Sequence, residues 1–306
     1  MGAKLDQTIA VLNGLVGDYL ARTDNGLATE MACYRDGARV ELDAAGVARA
    51  YAAPTPRVAV FVHGVMCTES IWRFPDGSDY GEKLRAELGI TPVYLRYNSG
   101  LPLARNGAAL GELLQALVAA YPVPIEELIL VGYSMGGLLV RCACHVASEL
   151  ANQQSATWLG LVQRAIYLGT PHLGAPAERA GRALVGLLHA IPDPYTRLIG
   201  DIAALRSHGI RDLGDAKLHP SDPVELLPGI RHAFVAGSLA NDPWLAALLG
   251  DSLVSIASAT GKSLVELRSP DLPAVSVKVI RARGHLDLAH DAETYDFIKQ
   301  CCEAGP

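Results

Sequence analysis

The chain has 306 residues, half of them hydrophobic and 19% charged, with a formal net charge of −6 at pH 7. That length and composition suit a single folded α/β domain over residues 1–306 rather than a disordered or fibrous chain. An acidic chain without a Lys/Arg run offers a nucleic acid no footing, and no stretch approaches the roughly 20 apolar residues that span a bilayer.

Residues 1–25 carry apolar positions at helical spacing, namely Leu5, Ile9, Leu12, Leu15, Val16 and Leu20. Asp6, Asn13 and Asp18 interrupt them and no basic leader precedes them, so a signal peptide is not expected and the cytoplasm is. Short segments at 32–34 and 40–42 then form a hairpin about Asp36-Gly37. Residues 1–50 are thus expected to be a preamble of helix and hairpin. From Arg57 onward, apolar runs of strand length alternate with helical stretches. The runs are 58–62, 92–97 and 128–131, followed by 165–168, 232–236 and 275–280; the helices cover 80–88, 103–121 and 138–149, and a last one opens after Asp291 as N-cap. Runs that are apolar on both faces and return after each helix predict a mostly parallel central sheet with helices on both faces. The strand signal stops between residues 172 and 228, a span expected to be an inserted helical cap or lid. Of the six cysteines, Cys142 and Cys144 share a helix and Cys301 and Cys302 are adjacent, so free thiols are expected rather than a disulfide framework or a metal site.

Gly132-Tyr133-Ser134-Met135-Gly136-Gly137 falls between the run at 128–131 and the helix at 138–149. A sharp strand-to-helix turn needs small residues on either side of a serine, because side chains at Gly132 and Gly136 would strike neighbouring backbone. Such a turn lifts the Ser134 hydroxyl above the sheet as a nucleophile. A serine hydroxyl is weak at neutral pH and needs a base, itself oriented by a third group. Downstream of the last strand the chain has two candidates, His285 and His290. His285 comes directly after the strand and a glycine, whereas His290 sits at the start of a helix. A metal held by His285, Asp287 and His290 has suitable ligand types but no second cluster to support it.

The elbow, together with Phe61-Val62-His63-Gly64-Val65 and Leu168-Gly169-Thr170-Pro171-His172-Leu173-Gly174-Ala175-Pro176, resembles the α/β-hydrolase superfamily. Within it the chain resembles bacterial serine esterases and lipases related to triacylglycerol lipases and inositol deacylases. The resemblance runs from about Val58 to the C-terminus. It implies an oxyanion hole made by the N–H groups of Val65 and Met135, with Met66 a second candidate on the same loop; Met66 and Tyr133 are expected beside the substrate. It also implies His285 as the base, and Asp251 as its acid, since Gly250-Asp251-Ser252-Leu253-Val254 is similar to a Gly-Asp-Gly-Leu-Val loop. Ser252 departs from that pattern, and Asp242 and Asp222 remain alternatives. His63 is expected to shape its loop rather than move protons. Leu184, Leu187 and Leu188 recur at helical spacing in the inserted segment and are assigned to an acyl pocket, with plain core packing the alternative.

The expected activity is hydrolysis of a small-molecule or lipid carboxylic ester through an acyl-enzyme, without a cofactor. A thioesterase, amidase or acyltransferase would use the same residues. Outside this class stand a non-catalytic binding protein and a metallohydrolase. Acyl length, alcohol and oligomeric state are not written in the sequence.

Overall fold

A computed structural model describes residues 2–150, 157–172, 207–215, 224–238, 275–281 and 283–303. Among these, eight strands form one sheet in the order β2-β1-β4-β3-β5-β6-β7-β8. The strands are β1 (Ala32–Arg35), β2 (Ala38–Val40), β3 (Arg57–Val62), β4 (Thr91–Arg96), β5 (Glu127–Tyr133), β6 (Val162–Leu168), β7 (Arg231–Ser238) and β8 (Ser276–Arg281). From β4 to β8 every pairing is parallel; β1 joins β4 and β2 antiparallel. The mostly parallel sheet expected from the alternating runs is present.

Side chains alternate across each strand and divide the core in two. Val58, Val60, Val62, Leu128 and Leu130 face one side, where they meet Val47 of α2 (Ala44–Ala50) and leucines of α4 (Leu103–Ala120) and α5 (Met135–Leu150). Ala59, Phe61, Ile129, Val131 and Tyr133 face the other, packed against Leu84 of α3 (Tyr80–Leu88) and Ile298 of α7 (Ala292–Glu303). Strands buried on both faces explain the unbroken apolar runs.

The ends of the elements follow local chemistry. Asp79 caps α3 through the Glu82 N–H at 2.8 Å, and Gly89 ends that helix in the left-handed region at φ +65°. Asp291 caps α7, accepting from the Glu293 and Thr294 N–H groups. Asp36 and Gly37 both have positive φ, as a two-residue hairpin turn requires. α4 opens at Pro102 without a side-chain cap of its own; the Leu103 N–H instead donates to Asp212 of α6 (His208–Asp215) at 2.9 Å.

The N-terminal 50 residues include the expected helix and hairpin. The hairpin extends the sheet by two strands, and α1 (Gly2–Arg22) lies over the loops that leave β3 and β4. α2 was not anticipated, being only seven residues long, although Asp43 caps it through Gly46 N–H. All six cysteines are free. No helix among the described residues is long and apolar enough to cross a membrane. Most of residues 172–228, the expected cap, lies outside the described residues, as do Leu184, Leu187 and Leu188.

Candidate active site

β5 ends at Tyr133, α5 begins at Met135, and Ser134 between them has φ +52°. A serine in the left-handed region costs about 1–3 kcal/mol and persists only where its surroundings enforce it. Here the Ser134 N–H donates to Leu168 O at 2.8 Å, and the Ser134 carbonyl accepts from Gly137 N–H at 3.1 Å. A Cβ on Gly132 would come within 2.5 Å of Gly137 Cα, and one on Gly136 would overlap the Val62 and His63 carbonyl oxygens. Both glycines are therefore required by contact. Met135 is the first residue of α5, so its N–H has no acceptor within the helix.

The loop after β3 passes directly above. A Cβ on Gly64 would sit 3.0 Å from Ser134 Cβ. His63 is fully buried; its Nδ1 lies 2.8 Å from Gly64 O, its Nε2 accepts from the Tyr97 N–H at 3.4 Å, and its ring stacks on Tyr97 with centroids 4.4 Å apart. That network assigns the proton to Nδ1, and burial pushes the imidazole down to about 4. His63 thus stays neutral and holds its loop. The Met66 N–H is taken by Ser99 Oγ at 3.0 Å, which leaves Val65 as this loop's candidate N–H donor. The Met66 side chain is fully buried with Val11, Leu15 and Ile210, so it offers no surface to a substrate.

His285 stands across the elbow. Its ring lies 5.0 Å from the Tyr133 ring, and its backbone carbonyl accepts from Tyr133 Oη at 3.1 Å. A Cβ on Gly169 would be 3.0 Å from His285 Nδ1 and Cε1. Tyr133 precedes Ser134 in the chain, and Gly169 follows the residue whose carbonyl holds the Ser134 N–H. The structure therefore places the imidazole against the residue before the serine and the residue after its hydrogen-bond acceptor, with no Ser134–His285 hydrogen bond made. Removal of water from around the half-buried ring pushes its pKa down to about 4. Tyr133 is itself buried, with its ring edge-on to Trp72 at 6.2 Å, and supports the histidine loop rather than lining an open pocket.

The loop around His285 is built from its own residues. Gly284 N–H donates to Asp287 Oδ2 at 2.8 Å, and Asp287 N–H donates back to Gly284 O at 3.1 Å. Tyr80 Oη donates to Leu288 O at 2.9 Å and accepts from Asp291 N–H at 2.7 Å. Asp287 is occupied in that turn, and His290, whose N–H donates to Asp287 O at 2.9 Å, leads into the Asp291 cap. No group of three metal-ligating side chains occurs among the described residues. Asp251, Asp242 and Asp222 lie outside the described residues. Sequence reasoning missed Trp72, Tyr97, Ser99 and Gln7. The one available signal was Asn98-Ser99-Gly100, a turn at the carboxyl end of a parallel strand, where such folds place their sites.

Solved structures share the fold of this chain at low sequence identity. A lipase from Bacillus licheniformis, BlEst2 in its mature form, superposes with a TM-score of 0.52 at 19% identity over 81% of this chain and 93% of that one. The chain has the α/β-hydrolase fold. A Pyrococcus furiosus esterase of that fold aligns with a TM-score of 0.51 at 11% identity over 80% of each chain. A gene product of Listeria innocua aligns at 0.50 and 12% identity, over 82% of this chain and 95% of that one. No protein-family model matches the sequence, and no curated protein sequence matches it. In the α/β-hydrolase fold the elbow stands at the carboxyl ends of the central strands, where Ser134 stands here.

Proposed function

We propose that the protein is a serine hydrolase that cleaves carboxylic esters. The observation that carries this reading is Ser134 held at positive φ between two glycines that admit no side chain, with His285 packed on the residues beside it. A structural turn would have no need of a strained serine; a nucleophile does.

In the proposed reaction Ser134 Oγ attacks the ester carbonyl carbon as His285 takes its proton. The N–H groups of Val65 and Met135 receive the charge that develops on the carbonyl oxygen, each such donor being worth about 10²–10³ in rate. The alcohol leaves with the proton from His285, and water, activated by the same imidazole, releases the acid from the acyl-enzyme. Asp251 is the proposed orienting carboxylate. Leu184, Leu187 and Leu188, in a cap formed by residues 172–228, are proposed to contact the acyl chain. The chemistry calls for no cofactor. A small-molecule or lipid ester is the proposed substrate, and six free thiols agree with a cytoplasmic site of action.

The names of the Bacillus licheniformis lipase and the Pyrococcus furiosus esterase support this direction at the level of fold. Thioesters, amides or transfer of the acyl group to another acceptor would employ the same groups.

The test is turnover of p-nitrophenyl esters of graded chain length. Ser134→Ala should abolish it, and His285→Ala should lower kcat by about three to four orders of magnitude. His290→Ala should leave kcat near that of the unaltered protein. The opposite ranking of the two histidines would assign the base to His290.

A further inference from the structure

Met66 is the second residue near the site held in the left-handed region, at φ +59°. Methionine has no local preference for that conformation, so the fold must impose it. Four contacts do so. The Met66 N–H donates to Ser99 Oγ at 3.0 Å, and its carbonyl accepts from Gln7 Nε2 at 2.9 Å. On the other edge of the Val65–Met66 peptide, Cys67 Sγ donates to Val65 O at 3.3 Å. The side chain fills a socket made by Val11 and Leu15 of α1 and Ile210 of α6. Gly14 opens that socket, since a Cβ there would overlap Met66 Cγ.

α1 is itself fixed from the site side. It kinks at Val16, where φ is −135°. Around the kink, the Gly14 carbonyl accepts from Ser207 Oγ at 2.7 Å and the Gly17 carbonyl from Asn98 Nδ2 at 2.9 Å. Asp18 pairs with His208, and Asp6 with Arg96 at 3.2 Å. The helix is thereby tied to the loop after β4 and to the start of α6. A helix anchored in this way is a rigid template for the backbone it touches.

We infer that Gln7 and Ser99 are positioning residues that act through Met66 to aim the Val65 N–H at the oxyanion. This rests on the proposed role of Val65. The physical reason is leverage: pinning both edges of the peptide after Val65, and the carbonyl of the residue beyond, removes the rotations that would turn the Val65 N–H away from Ser134. Preorganised donors stabilise a transition state because they need no reorientation as charge develops. α1 therefore serves the catalytic step through the backbone it holds.

The experiment uses the full-length protein with Ser99→Ala, Ser99→Thr and Gln7→Met, and follows hydrolysis of a short-chain p-nitrophenyl ester together with the rate of fluorophosphonate labelling. Ser99→Ala and Gln7→Met should each lower kcat and the labelling rate by about ten- to a hundred-fold with KM unchanged, less than outright loss of an oxyanion donor. Ser99→Thr, which keeps the hydroxyl, should recover most of the loss. Two independent positions keep the test decisive if one variant folds poorly. Unchanged kcat in both deletions, even with a lowered melting temperature, would overturn the inference, as would equal losses in Ser99→Ala and folded Ser99→Thr. Unaltered protein that takes no label at Ser134 would overturn the proposed function along with it; a labelled protein with indifferent variants would overturn the positioning role alone.

Discussion

At the scale of single residues, the site depends on atoms that are absent as much as on those present. Gly132 and Gly136 leave room for a turn that forces Ser134 to φ +52°, and Gly169 leaves room for the His285 ring. The same crowding dries the imidazole and pushes it down to about 4, against an ordinary value near 6.5. A carboxylate at the ring would act oppositely, because an anion favours the protonated form. If Asp251 is that carboxylate, Asp251→Asn should move the acid limb of kcat/KM to lower pH as well as lowering the rate. A pH–rate series on Asp251→Asn, Asp242→Asn and Asp222→Asn checks this. An unmoved limb in the first and a downward shift in one of the others would reassign the acid.

Elements are joined at the far end of the sheet by a buried charge cluster. Glu127 at the start of β5 pairs with Arg57 of β3 at 2.6 Å and with Arg164 of β6. The two arginines also donate to the carbonyls of Cys302 and Cys301 at the end of α7, at 2.7 Å each. One carboxylate thus fixes three adjacent strands and the helix that follows the histidine loop. Glu127→Gln removes the anion and leaves two cations crowded together, one of them almost fully buried. Loss of one partner from a buried pair costs about 3–5 kcal/mol. Urea unfolding of Glu127→Gln should show a loss of that order, and one below about 1 kcal/mol, the range of exposed pairs, would mean the cluster is no anchor. The strands and the long helices were legible in the sequence, because burial on both faces and helical periodicity leave their mark on each segment. The Asp36-Gly37 turn was legible for the same reason. The anchoring role of Glu127 was not, since its partners are 70 and 37 positions away and nothing local distinguishes it from a solvated glutamate.

On the scale of the whole molecule, four histidines among the described residues are kept neutral by burial. His63, His232 and His285 are each pushed down to about 4, and His172 is held well below its ordinary value, with Arg141 beside it adding to the effect of burial. The unfolded chain protonates them near 6.5, so between about 6.5 and 4 the unfolded state binds protons that the folded state refuses. Stability is therefore complete above about 6.5 and falls as the pH drops toward 4. Most carboxylates titrate only below about 4.5, which leaves the upper part of the window to the histidines. A melting temperature that declines from pH 6.5 to 5 is expected, and a flat one would show that these rings are hydrated.

The proposed catalytic residues were legible to different depths. Ser134 stood out because a strained elbow demands glycines at fixed offsets, and His285 because the resemblance implies a base after the last strand. The support from α1 could not, because a helix that packs on a distant loop has the same periodicity as one that packs anywhere else. Gln7 looks like any surface glutamine until Met66 is placed beside it.

The central claim is that the elbow presents Ser134 as an activated nucleophile. Treating the purified protein with a fluorophosphonate and locating the adduct by peptide mass spectrometry tests it most directly. The account predicts a single adduct on Ser134, absent from Ser134→Ala and strongly slowed in His285→Ala. Folded protein that takes no label, or takes it on another serine, would contradict it.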